Sequence, residues 1–385
     1  MASSQPPLEN SEFSIVSVQE LIKDPNITVP NSYFRPEQEP PKLLNGNHYF
    51  QCFKTRPGPS NSTGTQRLQR ARFNFSDSPQ NPKIWEDDRR TINGRKAEFE
   101  LAKLESTCKE WGIFQLVNHG VSSSLLEKLK FEIQEFFNLP LEEKMKYKIR
   151  LDDFQGYGSV VRSDEKLEWG DKLYMTINPI RMRESHLFPE LPSFLRNTLE
   201  CYFQEMQNLS RKILGMIGKT LNTEIKEMEE LFEDGMQSVR FNYYPPCSKP
   251  ELVMGLAPHS DATVITILNQ LNGVDGLHIK KDSVWIPVSI LPEALAINLG
   301  DILERRAQSI NKLGEERISI AFFVGPKFDA EIGPARSLIN PENPPLFKRI
   351  GTEEYFKSFF SRKLKGKTNL EFMKIENGGG MHHNI

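Results

Sequence analysis

The apolar residues of this chain change their spacing near Gln237, and that change restricts the fold more than any other feature. Upstream they recur at helical intervals: Leu101, Leu104, Cys108 and Trp111; Leu125, Leu129, Ile133 and Phe136; Leu195, Leu199, Tyr202, Leu209, Ile213 and Ile217. Side chains three, four or seven residues apart share one face of a helix. The spacing therefore predicts helices over 97–111, 123–138 and 194–221. Gly112 is placed to end the first, Ser122 to Ser124 offer an N-cap to the second, and Pro140 stops it. Ile113–Val117, between these two helices, reads as a buried strand. From Gln237 the apolar runs become short and are bounded by Gly and Pro: Val239–Tyr244, Val264–Leu268, Leu277–Ile279, Val284–Val288, Ala294–Leu299 and Ile318–Val324. Many short strands behind a helical layer predict a mainly β fold, a jelly roll (double-stranded β-helix) with flanking helices. A last helix, Thr352 to Leu364, carries Tyr355, Phe356, Phe359 and Phe360 to dock on that body.

These patterns divide the chain into four parts. Residues 1–94 form a Pro-rich opening and a poorly ordered stretch, and 95–234 a helical region. Residues 235–326 form the jelly roll, and 327–385 a C-terminal helix and tail. Within the opening, a short amphipathic stretch ending at Ile22 is expected on the surface of the domain. Residues 46–94 show neither period; their basic cluster, Arg67 to Arg72, reads as a solvated linker.

Composition excludes several classes of partner. Lys and Arg number 49 against 51 Asp and Glu, a net charge of -2, so no global field draws the chain to nucleic acid or anionic lipid. The longest apolar run, Ile318 to Val324, is far too short to span a bilayer. The start, Met1-Ala-Ser-Ser-Gln-Pro-Pro, lacks the basic and apolar regions of a secretory signal. Cys52, Cys108, Cys201 and Cys247 form no Cys-x-x-Cys pair and read as reduced, mostly buried thiols. A cytoplasmic monomer acting on a small molecule, with no membrane or nucleic-acid partner, is the expectation.

Two pairs of residues carry chemistry. His259 and Asp261 stand in Gly255-Leu-Ala-Pro-His-Ser-Asp-Ala262. On a strand, positions i and i+2 share a face, so imidazole and carboxylate point the same way. Together they are two thirds of the facial triad that holds non-haem Fe(II). Arg317 and Ser319 share a face for the same reason, offering a guanidinium fork and a hydroxyl to a carboxylate of a dicarboxylic co-substrate. A second His is needed to complete the triad, and none occurs between His278 and His382.

Several runs resemble the plant Fe(II)/2-oxoglutarate-dependent dioxygenases of the isopenicillin-N-synthase-like superfamily. They are Asn242-Tyr-Tyr-Pro-Pro-Cys247, Pro258-His-Ser-Asp261, Gly276-Leu-His-Ile279, Trp285-Ile-Pro-Val288, Asn298-Leu-Gly-Asp-Ile302 and Arg317-Ile-Ser-Ile-Ala-Phe322. Trp111-Gly-Ile-Phe-Gln-Leu-Val-Asn-His-Gly120 and Phe359-Phe-Ser-Arg-Lys-Leu364 are similar to the same family. Val18-Gln-Glu-Leu-Ile22 and Arg35-Pro-Glu-Gln-Glu-Pro40 match the opening of its senescence-related-gene-like group, which includes the alkaloid O-demethylases. The resemblance implies His259 and Asp261 as iron ligands, with Arg317 and Ser319 on the distal carboxylate of 2-oxoglutarate. It implies that Asn242 and Tyr244 also contact the co-substrate; a strand end running into the Pro245-Pro246 turn is the alternative role for both. His119 falls in a structural Asn-His-Gly turn. The implied reaction consumes O2 and 2-oxoglutarate, with ascorbate as reductant, and hydroxylates or O-demethylates a small plant secondary metabolite.

The chain departs from the family pattern in two places. No Pro-Val-Ile-Asp-Leu-like strand is visible in 46–94. After Gly300-Asp-Ile-Leu-Glu304 the sequence runs directly into Arg305-Arg-Ala, where family members carry a turn, a strand and a His-Arg pair. Loss of such a strand is expected to leave an open edge inside the sheet. His278, His382, His383, Glu304, Glu315 and Glu316 are the remaining candidates for a third ligand. A truncated, inactive member, or a binding protein that keeps only the 2-oxoglutarate pocket, competes with an active enzyme.

Overall fold

The computed structural model describes residues 17–24, 26–35, 72–74, 94–150, 154–159, 166–281, 284–303, 307–309, 315–361 and 371–375. The helices are α1 (Val18–Leu21), α2 (Gly94–Glu110), α3 (Ser123–Asn138), α4 (Leu141–Lys144), α5 (Ser193–Thr220), α6 (Ile225–Phe232) and α7 (Thr352–Ser361). The strands are β1 (Arg72–Asn74), β2 (Ile113–Val117), β3 (Gly156–Tyr157), β4 (Asp171–Asn178), β5 (Gln237–Tyr244) and β6 (Leu256–His259). After them come β7 (Ile265–Gln270), β8 (Leu277–Lys281), β9 (Val284–Pro287), β10 (Leu295–Leu299), β11 (Ala307–Ser309), β12 (Arg317–Val324), β13 (Glu331–Ile332) and β14 (Ile350–Gly351).

An eight-stranded sheet, ordered β1-β2-β10-β7-β12-β5-β4-β3, faces a four-stranded sheet, β6-β11-β8-β9. The side-chain alternation of β12 explains the layering. Ile318, Ile320, Phe322 and Val324 point to the helices and join Ile133, Phe136, Leu199, Tyr202 and Ile213 of α3 and α5 in the main core. Ala321 and Phe323 point the other way and pack with Leu277 and Ile279 of β8 between the sheets. Each fully buried aliphatic or aromatic side chain contributes about 1.5–3 kcal/mol. The predicted jelly roll behind a helical layer is the observed architecture.

The helix termini follow local rules. Gly112 closes α2 with φ 63°, a conformation that suits glycine, and its N–H bonds to Thr107 O. Ser122 is the N-cap residue of α3, but its hydroxyl pairs with Ser124 Oγ and bonds no helix N–H.

Several expectations need correction. The stretch ending at Ile22 is not a surface appendage. Val18 is 1% exposed, and the buried Asp171 carboxylate accepts from Ser17 Oγ at 2.6 Å, Val18 N at 2.6 Å and Tyr157 OH at 2.8 Å. A buried carboxylate requires such donors, and they pin α1 to β4. Residues 72–74, inside the stretch expected to be poorly ordered, form β1 and pair in parallel with β2; the rest of 46–94 up to residue 93 lies outside the described residues. The strand expected to be missing from the small sheet is present as β11, which pairs with both β6 and β8. The edge left open by a deletion is therefore filled. Cys247 is buried, but Cys201 is exposed and Cys108 only partly buried; none of the three is in a disulfide. Helix α7 is described to Ser361, so Leu364 and the Phe360 side chain lie outside the described residues, while Tyr355, Phe356 and Phe359 pack as expected. Among the described residues no helix is long and apolar enough to cross a membrane.

Candidate active site

Strand β6 ends at His259, and the chain turns there to enter β7. His259 Nδ1 lies 2.7 Å from Ala257 O. A carbonyl oxygen can only accept, so Nδ1 carries the proton and Nε2 of the neutral ring keeps its lone pair. That lone pair faces Asp261 Oδ1 at 3.4 Å. Asp261 Oδ2 accepts from Thr266 Oγ1 at 2.5 Å and Asn298 Nδ2 at 2.8 Å, and these two residues stand opposite each other in the β7–β10 pairing. Burial opposes ionisation of Asp261, but the His259 ring when it is protonated, with hydrogen bonds from Thr266 and Asn298, outweighs it and holds the carboxyl well below the usual carboxylate range.

Two electron-rich atoms aimed at one another 3.4 Å apart repel unless a cation lies between them. A proton on the imidazole meets that need, and so does a divalent metal bound to both. The pair thus fits two protein positions around one Fe(II). Gly300 braces the turn from behind: a Cβ there would come within 2.0 Å of Thr263 O and 2.8 Å of Asp261 O. The next residue, Asp301, donates its N–H to Asp261 O at 2.7 Å.

The second cluster lies on the inner face of β5 and β12. In their register Arg317 stands opposite Tyr244 and Ser319 opposite Asn242. Arg317 is 4% exposed. It donates Nη1 to Ser319 Oγ at 3.3 Å and Nε to Val274 O at 3.2 Å, and its guanidinium lies 5.4 Å from the Tyr244 ring centre. Asn242 Nδ2 reaches the same Ser319 hydroxyl at 3.4 Å. Burial pushes the guanidinium below its ordinary value, while Tyr244 and Asp275 act the other way. Asp275 itself accepts from Ser289 and Gln270. Residues 235–326 match the 2OG-Fe(II) oxygenase superfamily, and 88–191 match the family described as non-haem dioxygenase in morphine synthesis N-terminal.

The chain belongs to the 2OG-Fe(II) oxygenase superfamily. It is 47% identical over 292 residues to oxoglutarate-dependent flavonoid 7-O-demethylase 1 of Ocimum basilicum, covering 73% of this chain and 78% of that one. Codeine O-demethylase of Papaver somniferum is 48% identical over 290 residues, covering 72% and 81%. Protein SRG1 of Arabidopsis thaliana is 40% identical over 379 residues, covering 95% and 98%. Among solved structures, JOX2 in complex with 2OG, Fe and JA superposes with a TM-score of 0.75 at 27% identity, covering 94% of this chain and 98% of that one. Members of this superfamily are oxidoreductases that use Fe(II), 2-oxoglutarate and O2.

A facial triad around Fe(II) needs a third protein donor. Among the described residues, no group of three or more His, Cys, Asp and Glu could hold a metal ion. His278 sits on β8 opposite Pro287, with Nδ1 3.3 Å from Gly276 O. His119 is structural: Nδ1 accepts from Val121 N at 3.2 Å, so Nε2 donates to Glu293 O at 2.9 Å. Glu316 accepts from Tyr243 OH at 2.6 Å, and Glu315 is exposed. Glu304, His382 and His383 lie outside the described residues. Thr266, Asn298 and Gly300 support the site without having been singled out from sequence. Asn298 and Gly300 sit in a recognised motif, whereas Thr266 had no signal beyond its place in an apolar run.

Proposed function

We propose that this oxygenase acts on a small, methoxylated plant secondary metabolite and removes the O-methyl group. In this reading His259 and Asp261 hold Fe(II), Arg317 and Ser319 hold the distal carboxylate of 2-oxoglutarate, and Asn242 and Tyr244 line the co-substrate pocket. The observation that carries it is Arg317. A buried guanidinium with five donors needs acceptors; Val274 O, Ser319 Oγ and Tyr244 meet part of that need, and Asp275 acts on it through its charge without a salt bridge among the described residues. A dicarboxylate offers the planar acceptor that its fork fits.

Iron held by His259 and Asp261 would supply the oxidative chemistry, in which decarboxylation of 2-oxoglutarate to succinate is coupled to insertion of one O2 oxygen into a substrate C–H bond. The chain supplies orientation and dryness. Hydroxylation at a methoxy carbon yields a hemiacetal that releases formaldehyde and leaves a free hydroxyl. Leu268, Leu277, Ile279 and Phe323 line the apolar space between the sheets and exclude water from it. The O-demethylase relatives at 47% and 48% identity support O-demethylation over simple hydroxylation. Incubation with Fe(II), ascorbate, 2-oxoglutarate and a panel of methoxylated flavonoids and alkaloids tests the reaction. Formaldehyde in step with succinate supports it; a hydroxylated product that keeps its methoxy group refutes it.

A second reading rests on the lack of a third donor among the described residues. With two donors among the described residues, the chain can keep the 2-oxoglutarate pocket while turning over poorly or not at all. Saturable 2-oxoglutarate binding without succinate from any substrate is the signature of that state.

A further inference from the structure

We propose that Glu168 is a positioning residue for the iron site, acting through the Ala257 backbone to fix the His259 imidazole; this rests on the reading of His259 and Asp261 as iron ligands. Strand β6 is an edge of the four-stranded sheet, and its pairing with β11 is irregular. An edge strand carrying a metal ligand leaves backbone groups that something else must register. Here a side chain does so. Glu168 Oε1 accepts the Ala257 N–H at 2.8 Å, and Ala257 O accepts His259 Nδ1 at 2.7 Å. The neighbouring Trp169 ties the same loop at two more points, its N–H to Met254 O at 2.7 Å and its indole Nε1 to Pro245 O at 3.2 Å. Glu168 is thus the last link of a strap from the start of β4 to the edge that presents the ligand.

The carboxylate is suited to this task. Its Oε2 lies 3.7 Å from Lys172 Nζ on β4. Burial works to raise the acid's pKa, but Lys172, the Ala257 N–H, Arg240 and His259 together hold it below the ordinary value. Lys172 and Arg240 belong to the large sheet and Ala257 to the small one, so Glu168 couples the two sheets at the iron end. Fixing Nδ1–H on Ala257 O orients Nε2 toward the metal, as outer hydrogen bonds to ligand imidazoles do generally. A simple edge cap would contribute stability alone. A positioning residue also sets metal affinity and ligand-field geometry in the folded protein.

Co(II) serves as the probe, because its binding and visible absorption are measured without turnover. Calorimetric titration is run on wild type, H259A, E168A, E168Q and E168D, with circular dichroism to confirm folding. Wild type is expected to bind Co(II) and H259A to lose binding. E168A is expected to weaken binding about 10-fold and to shift the Co(II) absorption, in the range that outer-sphere changes produce. E168Q keeps an acceptor oxygen at full reach and is expected to restore most of the affinity. E168D keeps the charge but not the reach, so it serves as the decisive variant if E168A does not fold; it is expected to resemble E168A. If E168A and E168D change thermal stability alone, with Co(II) affinity and spectrum as in wild type, the proposal is overturned while the iron-site reading stands. If wild type and H259A bind Co(II) alike, the iron-site reading itself falls, and this proposal with it.

Discussion

Ala307 stands opposite His259 in the pairing of β11 with β6. Three residues, Glu304, Arg305 and Arg306, join it to the turn at Asp301–Leu303, whose Asp301 N–H bonds to Asp261 O. The chain therefore runs from Asp301, bonded to Asp261, to Ala307, opposite His259, through the five residues Ile302 to Arg306, and none of them is His. The small sheet keeps a strand at this place, and the sequence leading into it carries no His.

On the proposed roles, Arg317→Ala should weaken 2-oxoglutarate binding far more than metal binding, since the guanidinium bonds Ser319 and Val274 and has no contact with His259 or Asp261 among its hydrogen bonds. Truncating one partner of a buried charged pair costs about 2–5 kcal/mol, so roughly a 30-fold or greater loss of 2-oxoglutarate affinity is expected. Arg317→Lys should recover little, because an ammonium cannot reproduce the two-pronged contact. Calorimetry with each ligand in turn checks this; equal losses for metal and co-substrate would contradict the assigned roles.

Gly300→Ala should damage the site from behind. The added methyl meets Thr263 O at 2.0 Å and Asp261 O at 2.8 Å, both backbone atoms that cannot swing aside. Overpacking of this kind costs about 1–3 kcal/mol, and relief requires the Asp261 turn to move. Lower urea midpoints together with weaker Co(II) binding are expected. A variant with wild-type metal affinity would show that the turn tolerates displacement.

Asp261 gives a pH dependence of definite sign. Its folded pKa lies below the unfolded value, so its stabilisation is fully present above the ordinary Asp value of about 3.9 and is lost as pH falls through the folded one. In metal-free protein, the stability gap between wild type and Asp261→Asn should be largest near neutrality and shrink as the solution is acidified. Urea unfolding at several pH values measures it. A gap that does not change with pH would mean that the carboxylate contributes nothing through ionisation.

Elements with strong local signals were legible in the sequence. The α5 stripe from Leu195 to Ile217 and the alternation of β12 are such cases, as each segment buries one periodic face whatever its neighbours do. The pairing of Arg317 with Ser319 was also readable, because a strand fixes which side chains share a face. Strand β4 was missed, although Leu173, Met175 and Ile177 alternate into the core. β11 was unreadable for a different reason: Ala307-Gln-Ser309 holds no apolar pattern, and its strand state comes from β6 and β8 on either side. Glu168 could not be found from sequence at all, since its contact with Ala257 spans 89 positions.

The most direct test compares this chain with a version carrying a His inserted after Glu304, ahead of the strand β11 that is already in place, each supplied with Fe(II), ascorbate, 2-oxoglutarate and the same methoxylated substrates. Loss of a group that only supports a ligand costs about 10–100-fold in metal affinity or activity, and loss of a ligand itself should cost at least as much. The account predicts succinate and formaldehyde from the inserted version at least 10-fold above the chain as it stands. Comparable succinate from both proteins would show that another residue completes the iron site, contradicting the account.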